Sequence, residues 1–234
     1  METRTRLIYF IIFLSFLSPF VSMSLSETYY VSQNGSDNNN GNSWLTPLAS
    51  LQNALQIASS GDQIWVAEGT YRPDQGSGIV PGDRNASFQL KSGVSLYGGF
   101  RGNETDLSER EWKVNKTILS GDLNNNDGIN FQWYGDNSFH VVQSKNVDST
   151  AILDGFTIQA GNADTGSNPD GYGGGMLNES GSLVLSNLIF MRNNAIHGGG
   201  VSNLNNSRPS MKNIEFRENK AVYGGGLHNA DSKT

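Results

Sequence analysis

A repeat in the last third constrains this chain more than any other feature. Gly173-Gly174-Gly175-Met176-Leu177-Asn178, Gly198-Gly199-Gly200-Val201-Ser202-Asn203 and Gly224-Gly225-Gly226-Leu227-His228-Asn229 follow one another at a nearly constant step. Between them, Phe190-Met191-Arg192-Asn193 recurs one such step later as Phe216-Arg217-Glu218-Asn219, with Ala195 and Ala221 two places after each Asn. An earlier copy runs from Phe156 to Ala163, and its loop to Gly173 is seven residues longer than in the later copies. A unit of this size, built of three short alternating runs, cannot bury an apolar face alone. Stacked on copies of itself it can, with each coil pairing its backbone to the next at about 4.8 Å. The repeat therefore predicts one coil of a parallel β-solenoid per unit.

Period-two alternation then assigns faces. Ile214 and Phe216 point inward while Glu215 and Arg217 point out, and Leu183, Leu185, Leu188 and Phe190 supply the same inner face one coil earlier. Stacking predicts Phe190 beneath Phe216 and Asn193 beneath Asn219. Asn tolerates a left-handed corner and its amide can bond to the next amide, so that corner is assigned to the two Asn. The glycine runs are assigned to the other corner, where positive φ or close backbone approach is required.

Composition agrees. Gly at 28 and Asn at 27 of 234 residues describe a chain that turns often and has little use for helix. A net charge of -6 leaves no basic patch, so nucleic acid is not an expected partner. With no cysteine, neither disulfides nor a lipid-modified thiol can hold or anchor the chain. Arg4 and Arg6 precede an apolar run from Leu7 to Leu17, too short to span a bilayer, and small residues follow. Residues 1–26 are read as a secretory signal peptide, with no transmembrane helix left after cleavage.

Residues 27–70 are read as an N-terminal cap and first strand, and 71–234 as β-helix coils. The strand is Thr28-Tyr29-Tyr30-Val31-Ser32; the helix takes Thr46 as N-cap and Pro47 as its first residue, with Leu48, Leu51, Ala54, Leu55 and Ala58 on one face and Ser60-Gly61 as its stop. A coil begun at Gly224 with only Ala230 to Thr234 after Asn229 exposes its last face. The chain is accordingly expected to be part of a longer protein, or to pair end to end.

The Phe-x-x-Asn and Gly-Gly-Gly-aliphatic pair resembles the repeat of polymorphic outer-membrane proteins. Taken from residue 28 to 229, the chain is similar to secreted right-handed parallel β-helix proteins of the pectate-lyase-like class. Tyr29 to Trp44, the helix, Gly61-Asp62 and Gly69-Thr70-Tyr71 resemble that class's N-terminal cap and first coil. Leu96-Tyr97-Gly98-Gly99-Phe100, Glu104-Thr105, Ile118 to Asp122 and Phe139 to Val142 resemble its large bacterial branch. The resemblance implies an all-β, right-handed parallel β-helix with an N-terminal capping α-helix. It implies no single activity, because the fold hosts lyases, hydrolases, epimerases, adhesins and passive stalks.

Enzymes of this class use a Lys or Arg base with calcium-binding Asp, or clustered Asp as acid and base. Neither set has a counterpart here. There is no Asn-Thr-Asp, Asp-Asp or Gly-His-Gly run, and Lys212, Lys220, Arg192 and Arg217 come without a carboxylate cluster. The loop Asp122 to Gly128 invites a calcium reading, but its Gly falls one place late for an EF-hand and Trp133 occupies position twelve, so a solvated turn is expected and no cofactor is assigned. His140, His197 and His228 occupy different repeat positions and are read as unrelated. Among the aromatics, Trp65 is placed near the cap helix, whereas Trp133 and Tyr134, in a Gly/Asp/Asn loop, are the candidate glycan contacts. No catalytic residue is assigned. The expected function is a secreted or cell-surface noncatalytic β-helix protein, adhesin-like or carbohydrate-contacting and outer-membrane-associated if bacterial, with a cell-surface or wall polysaccharide as partner. The alternative is a polysaccharide lyase or glycoside hydrolase.

Overall fold

Every strand pair in the computed structural model is parallel, which is the geometry a coil-on-coil stack demands. The structure describes residues 26–166 and 169–230; the proposed signal peptide lies almost wholly outside them. The last two coils are the clearest. Val184–Met191, Asn194–His197 and Val201–Leu204 form one coil, and Ser210–Arg217, Lys220–Tyr223 and Leu227–Ala230 form the next. Val184 pairs with Ser210, Asn194 with Lys220 and Val201 with Leu227, so each side of the coil advances by one full repeat. The result is a parallel β-helix with three sheets among the described residues.

The alternation reads out as expected. Leu183, Leu185, Leu188 and Phe190 are fully buried, and Met211, Ile214 and Phe216 pack on the same core. The inner face passes from Leu185 to Leu188, an odd step that strict alternation forbids. Left-handed residues at Asn187 (φ 52°) and Asn213 (φ 55°) take up the extra residue. Phe190 and Phe216 stack with ring centroids 5.5 Å apart.

The Asn193 corner is built differently from expectation. The left-handed residues are Arg192 (φ 52°) and Glu218 (φ 50°), one place earlier. That turn sends the following Asn inward, where Asn193 Nδ2 donates to Ile158 O at 3.0 Å and to Asn219 Oδ1 at 3.0 Å, and Asn193 Oδ1 accepts Gly161 N–H at 2.9 Å. The inward Asn thus satisfies backbone groups that the corner would leave buried and unpaired. At the glycine corner the assignment holds: Gly173, Gly198 and Gly224 sit at φ 64° to 66°. The next glycine matters for space, since a Cβ on Gly199 would stand 2.5 Å from Lys220 O.

The helix is Leu51–Ile57, shorter than the sequence suggests. Ser50, not Thr46, is the N-cap, accepting from the Asn53 N–H at 3.3 Å. Leu48 cannot join it because its backbone pairs with the first strand, donating to Tyr30 O at 2.9 Å and accepting from Ser32 N–H at 2.9 Å. The apolar stripe Leu51, Ala54 and Leu55 still enters the core. Trp65 lies apart from that core, on the outer face of its strand. It stacks on Phe100 at 4.6 Å beside Tyr30 and Trp44, because Ile64 and Val66 already occupy the inward positions. Among the described residues no helix is long and apolar enough to cross a membrane.

The middle coils carry the excursions. Ser95 pairs with Ile152 and Phe88 with Val142, partners that lie more than two repeat lengths further along the chain. The surplus leaves the stack as two loops, 101–116 and 121–140. They supply the concave surfaces described next.

Candidate functional site

The loop from Gly121 to His140 folds back against the outer face of Asn162–Ala163 and Asn194–His197. Inward Ala163 and Ala195 leave Asn162 and Asn194 outward, and Asn194 Nδ2 donates to Asn162 Oδ1 at 2.7 Å. Asn162 Nδ2 in turn donates to Tyr134 O at 2.8 Å and to Asp164 Oδ2 at 3.0 Å. From the coil side the Arg192 guanidinium donates to Gly128 O at 2.6 Å. The middle of the loop is therefore tied to coil side chains, while its ends bond to coil backbone, Gly121 N–H donating to Gln159 O at 2.9 Å and Ser138 O accepting the Asn162 N–H at 2.8 Å.

This fastening holds unusual backbone. Asn130 (φ 55°), Phe131 (φ 61°) and Trp133 (φ 61°) all lie in the left-handed region, a conformation that costs a bulky side chain of order 1–2 kcal/mol. Strain of this kind persists where surrounding structure over-determines it. Its outcome is a 65% exposed Trp133. Trp133, Phe131, Asn162, Asp164, Asn194 and Lys220 border an open cleft of about 380 Å³, and Lys220 Nζ stands 5.8 Å from the Phe131 ring centroid.

The two aromatics singled out from sequence have different fates. Trp133 faces the cleft. The Tyr134 side chain is 5% exposed, packs edge-on to Phe131 at 5.0 Å and donates its OH to Arg192 O at 3.0 Å. Burial first, then the Asp127 carboxylate, pushes the phenol up to about 12. Tyr134 supports the loop rather than presenting a ring face.

Beneath the cleft, Asp122 Oδ1 accepts the Asn126 N–H at 3.0 Å, and Asp136 Oδ2 accepts Asn124 Nδ2 at 2.6 Å and Asn126 Nδ2 at 2.9 Å. Asp127 is pushed up to about 6 by burial first and by the charges of Asp122 and Asp136, although Asn137 Nδ2 donates to its Oδ2 at 2.9 Å. On the opposite excursion Glu68, Arg101, Glu104, Glu109 and Glu111 line an open cavity of about 600 Å³. Two of these carboxylates serve their own loop. Burial would raise Glu104, but backbone N–H donors from Arg101, Gly102 and Asn103 hold it below the ordinary range, and Glu109 accepts from Thr105 and Asp106. Sequence reasoning missed this cavity, because only the chain path of loop 101–116 assembles it.

The histidines correct the reading that they are unrelated. The His197 and His228 rings lie 4.9 Å apart, and His197 is stacked between Tyr172 at 4.4 Å and Tyr223 at 4.8 Å. Register explains it, since Tyr172, His197 and Tyr223 occupy one column, and the glycine corner turns His228 back alongside. His140 stays apart, buried with Nδ1 3.1 Å from Gly173 O. No three His, Cys, Asp or Glu side chains among the described residues gather as a metal-holding group.

A family model described as protein of unknown function (DUF1565) matches residues 33–228. The chain belongs to the DUF1565 family. No curated protein matches it. Among solved structures, this DUF1565 chain is similar to pectate lyase Pel9A at 15% identity and TM-score 0.45, over 90% of this chain and 52% of that one. A rhamnogalacturonan lyase aligns at 15% identity and TM-score 0.38, over 82% of this chain and 51% of that one. The chain spans about half the length of either. The β-helix assignment rests on the parallel register itself.

Proposed function

We propose that this DUF1565 chain is an exported, noncatalytic β-helix protein that contacts a cell-surface or wall polysaccharide through the cleft beside Trp133. One observation carries the reading: an exposed indole, held on strained backbone, stands over a groove whose floor offers amides, a carboxylate and an ammonium. Sugars are recognised by that combination, an aromatic face for the apolar side of the ring and planar polar groups for its hydroxyls.

A lyase or hydrolase reading has one feature in its favour, the raised carboxyl of Asp127. Yet Asp127 Oδ1 is buried away from solvent and Oδ2 is engaged by Asn137, so neither oxygen meets a chain lying in the cleft. The charged pair on the coil face, Arg110 and Asp154, is mutually satisfied at 2.8 Å.

Affinity electrophoresis of the full chain in gels containing pectate, alginate, glycosaminoglycan or neutral wall glucans tests the reading. Retardation by at least one polymer is expected, and Trp133→Ala should abolish it while the unfolding midpoint stays put. Retardation unchanged in Trp133→Ala would remove the cleft from the account. Release of unsaturated or reducing ends above a buffer control would make the protein an enzyme.

A further inference from the structure

The oxygens of the 122–137 loop do not balance. Asp127 Oδ1, Asp136 Oδ1 and Asn137 Oδ1 are shielded from solvent and have no hydrogen-bond partner. Asn137 is 0% exposed, and its orientation is fixed: Nδ2 donates to Asp127 Oδ2 at 2.9 Å and to Ala160 O at 2.7 Å. Flipping the amide would set its oxygen against two acceptors, so Oδ1 is the orphan in the only satisfied orientation. All three orphans are acceptors. Leaving such an acceptor shielded and unmatched is unfavourable, more so where the group is charged. Nearby cations do not answer them, because Arg192 is spent on Gly128 O and Arg84 on Asn137 O, Asn162 O and Asp164.

We propose that this loop binds one calcium ion through Asp127, Asp136 and the amide oxygen of Asn137, with backbone carbonyls and water completing the shell. Two carboxylates and a neutral amide in an irregular loop suit a hard cation that takes six to eight oxygens in flexible geometry. They do not suit metals that need imidazole or thiolate. The ion would brace the left-handed residues Asn130, Phe131 and Trp133 from below. The inference does not depend on the glycan reading, because metal binding is measured without a sugar.

The test uses the full chain stripped with chelator and titrated with calcium chloride by calorimetry, with tryptophan emission followed in parallel. Saturable binding of one ion per chain is expected, with Kd about 0.1–1 mM as for exported modules. Asp136→Asn should weaken it by about tenfold or more, Glu111→Gln on the opposite excursion should not, and Trp133→Phe should keep the heat while losing the emission change. No saturable heat in the unsubstituted protein up to about 10 mM calcium would overturn the proposal whatever the variants do. So would an unchanged affinity in Asp136→Asn, or an emission change that survives Trp133→Phe.

Discussion

Phe190 lies directly beneath Phe216, with ring planes 19° from parallel on residues paired across adjacent coils. The two nevertheless differ in cover. Phe190 is enclosed from both sides, whereas Phe216 belongs to the last described coil and is only partly buried. Phe190→Ala should therefore cost about 3–5 kcal/mol, and Phe216→Ala less. Glu215→Lys, on the outward side of the same strand, should leave the urea midpoint nearly unmoved. Equal shifts for Phe190→Ala and Glu215→Lys would contradict the inward and outward assignment.

The amide ladder offers a second test. Asn178 Nδ2 donates to Asn203 Oδ1 at 2.9 Å, and Asn203 Nδ2 to Asn229 Oδ1 at 2.8 Å. Asn203→Ala strands a buried donor and an acceptor, so thermal unfolding should report a loss of about 1–3 kcal/mol. Asn85→Ala removes an exposed side-chain bond to Asp83, at a residue outside the left-handed region, and should cost much less. The interpretation fails if the two losses match.

Close packing of backbone at the glycine corner gives a third. A Cβ on Gly199 would meet Lys220 O at 2.5 Å and Gly225 O at 2.6 Å, while one on Gly166 meets nothing within 4 Å. Gly199→Ala should destabilise by about 1–3 kcal/mol or more through forced backbone shifts, and Gly166→Ala should be neutral. A Gly199→Ala protein with an unaltered midpoint would show that the coils are spaced more loosely.

Stability should fall on the acid side through His140. Burial holds this imidazole below its usual 6.5, with the Gly173 carbonyl opposing only in part. The folded chain thus binds fewer protons than the unfolded one below pH 6.5, so stability is full above that pH and declines as pH drops. His228, lowered by burial and by His197, adds in the same direction. Midpoints measured between pH 8 and 5 should fall less steeply in His140→Gln. Parallel curves for the two proteins would assign the decline elsewhere.

The stack was legible before the structure because its signals are periodic. The register of Phe190 on Phe216 and Asn193 beneath Asn219 follows from the constant repeat step and a period of two, both local counts. The errors came where backbone competed for the same residues. Leu48 has the right spacing for the helix, yet its N–H and C=O were claimed by the first strand, which moved the N-cap to Ser50. At the corner, either Arg192 or Asn193 could have turned left-handed, and the buried carbonyl of Ile158 decided it by demanding an inward amide.

For the site the division is sharper. Trp133 and Tyr134 are neighbours in a polar loop, and nothing in their order says which faces water. That choice was made by Arg192, far along the chain from Tyr134, whose carbonyl takes the Tyr134 hydroxyl. The pairing of His197 with His228 and the three orphaned oxygens near Asp127 arise in the same way, from loops that close across coils. Spacing along a chain specifies what repeats, because each coil meets its neighbour in the same way. Where an insertion leaves the stack, the partners come from anywhere in sequence, and only the packed chain brings them together.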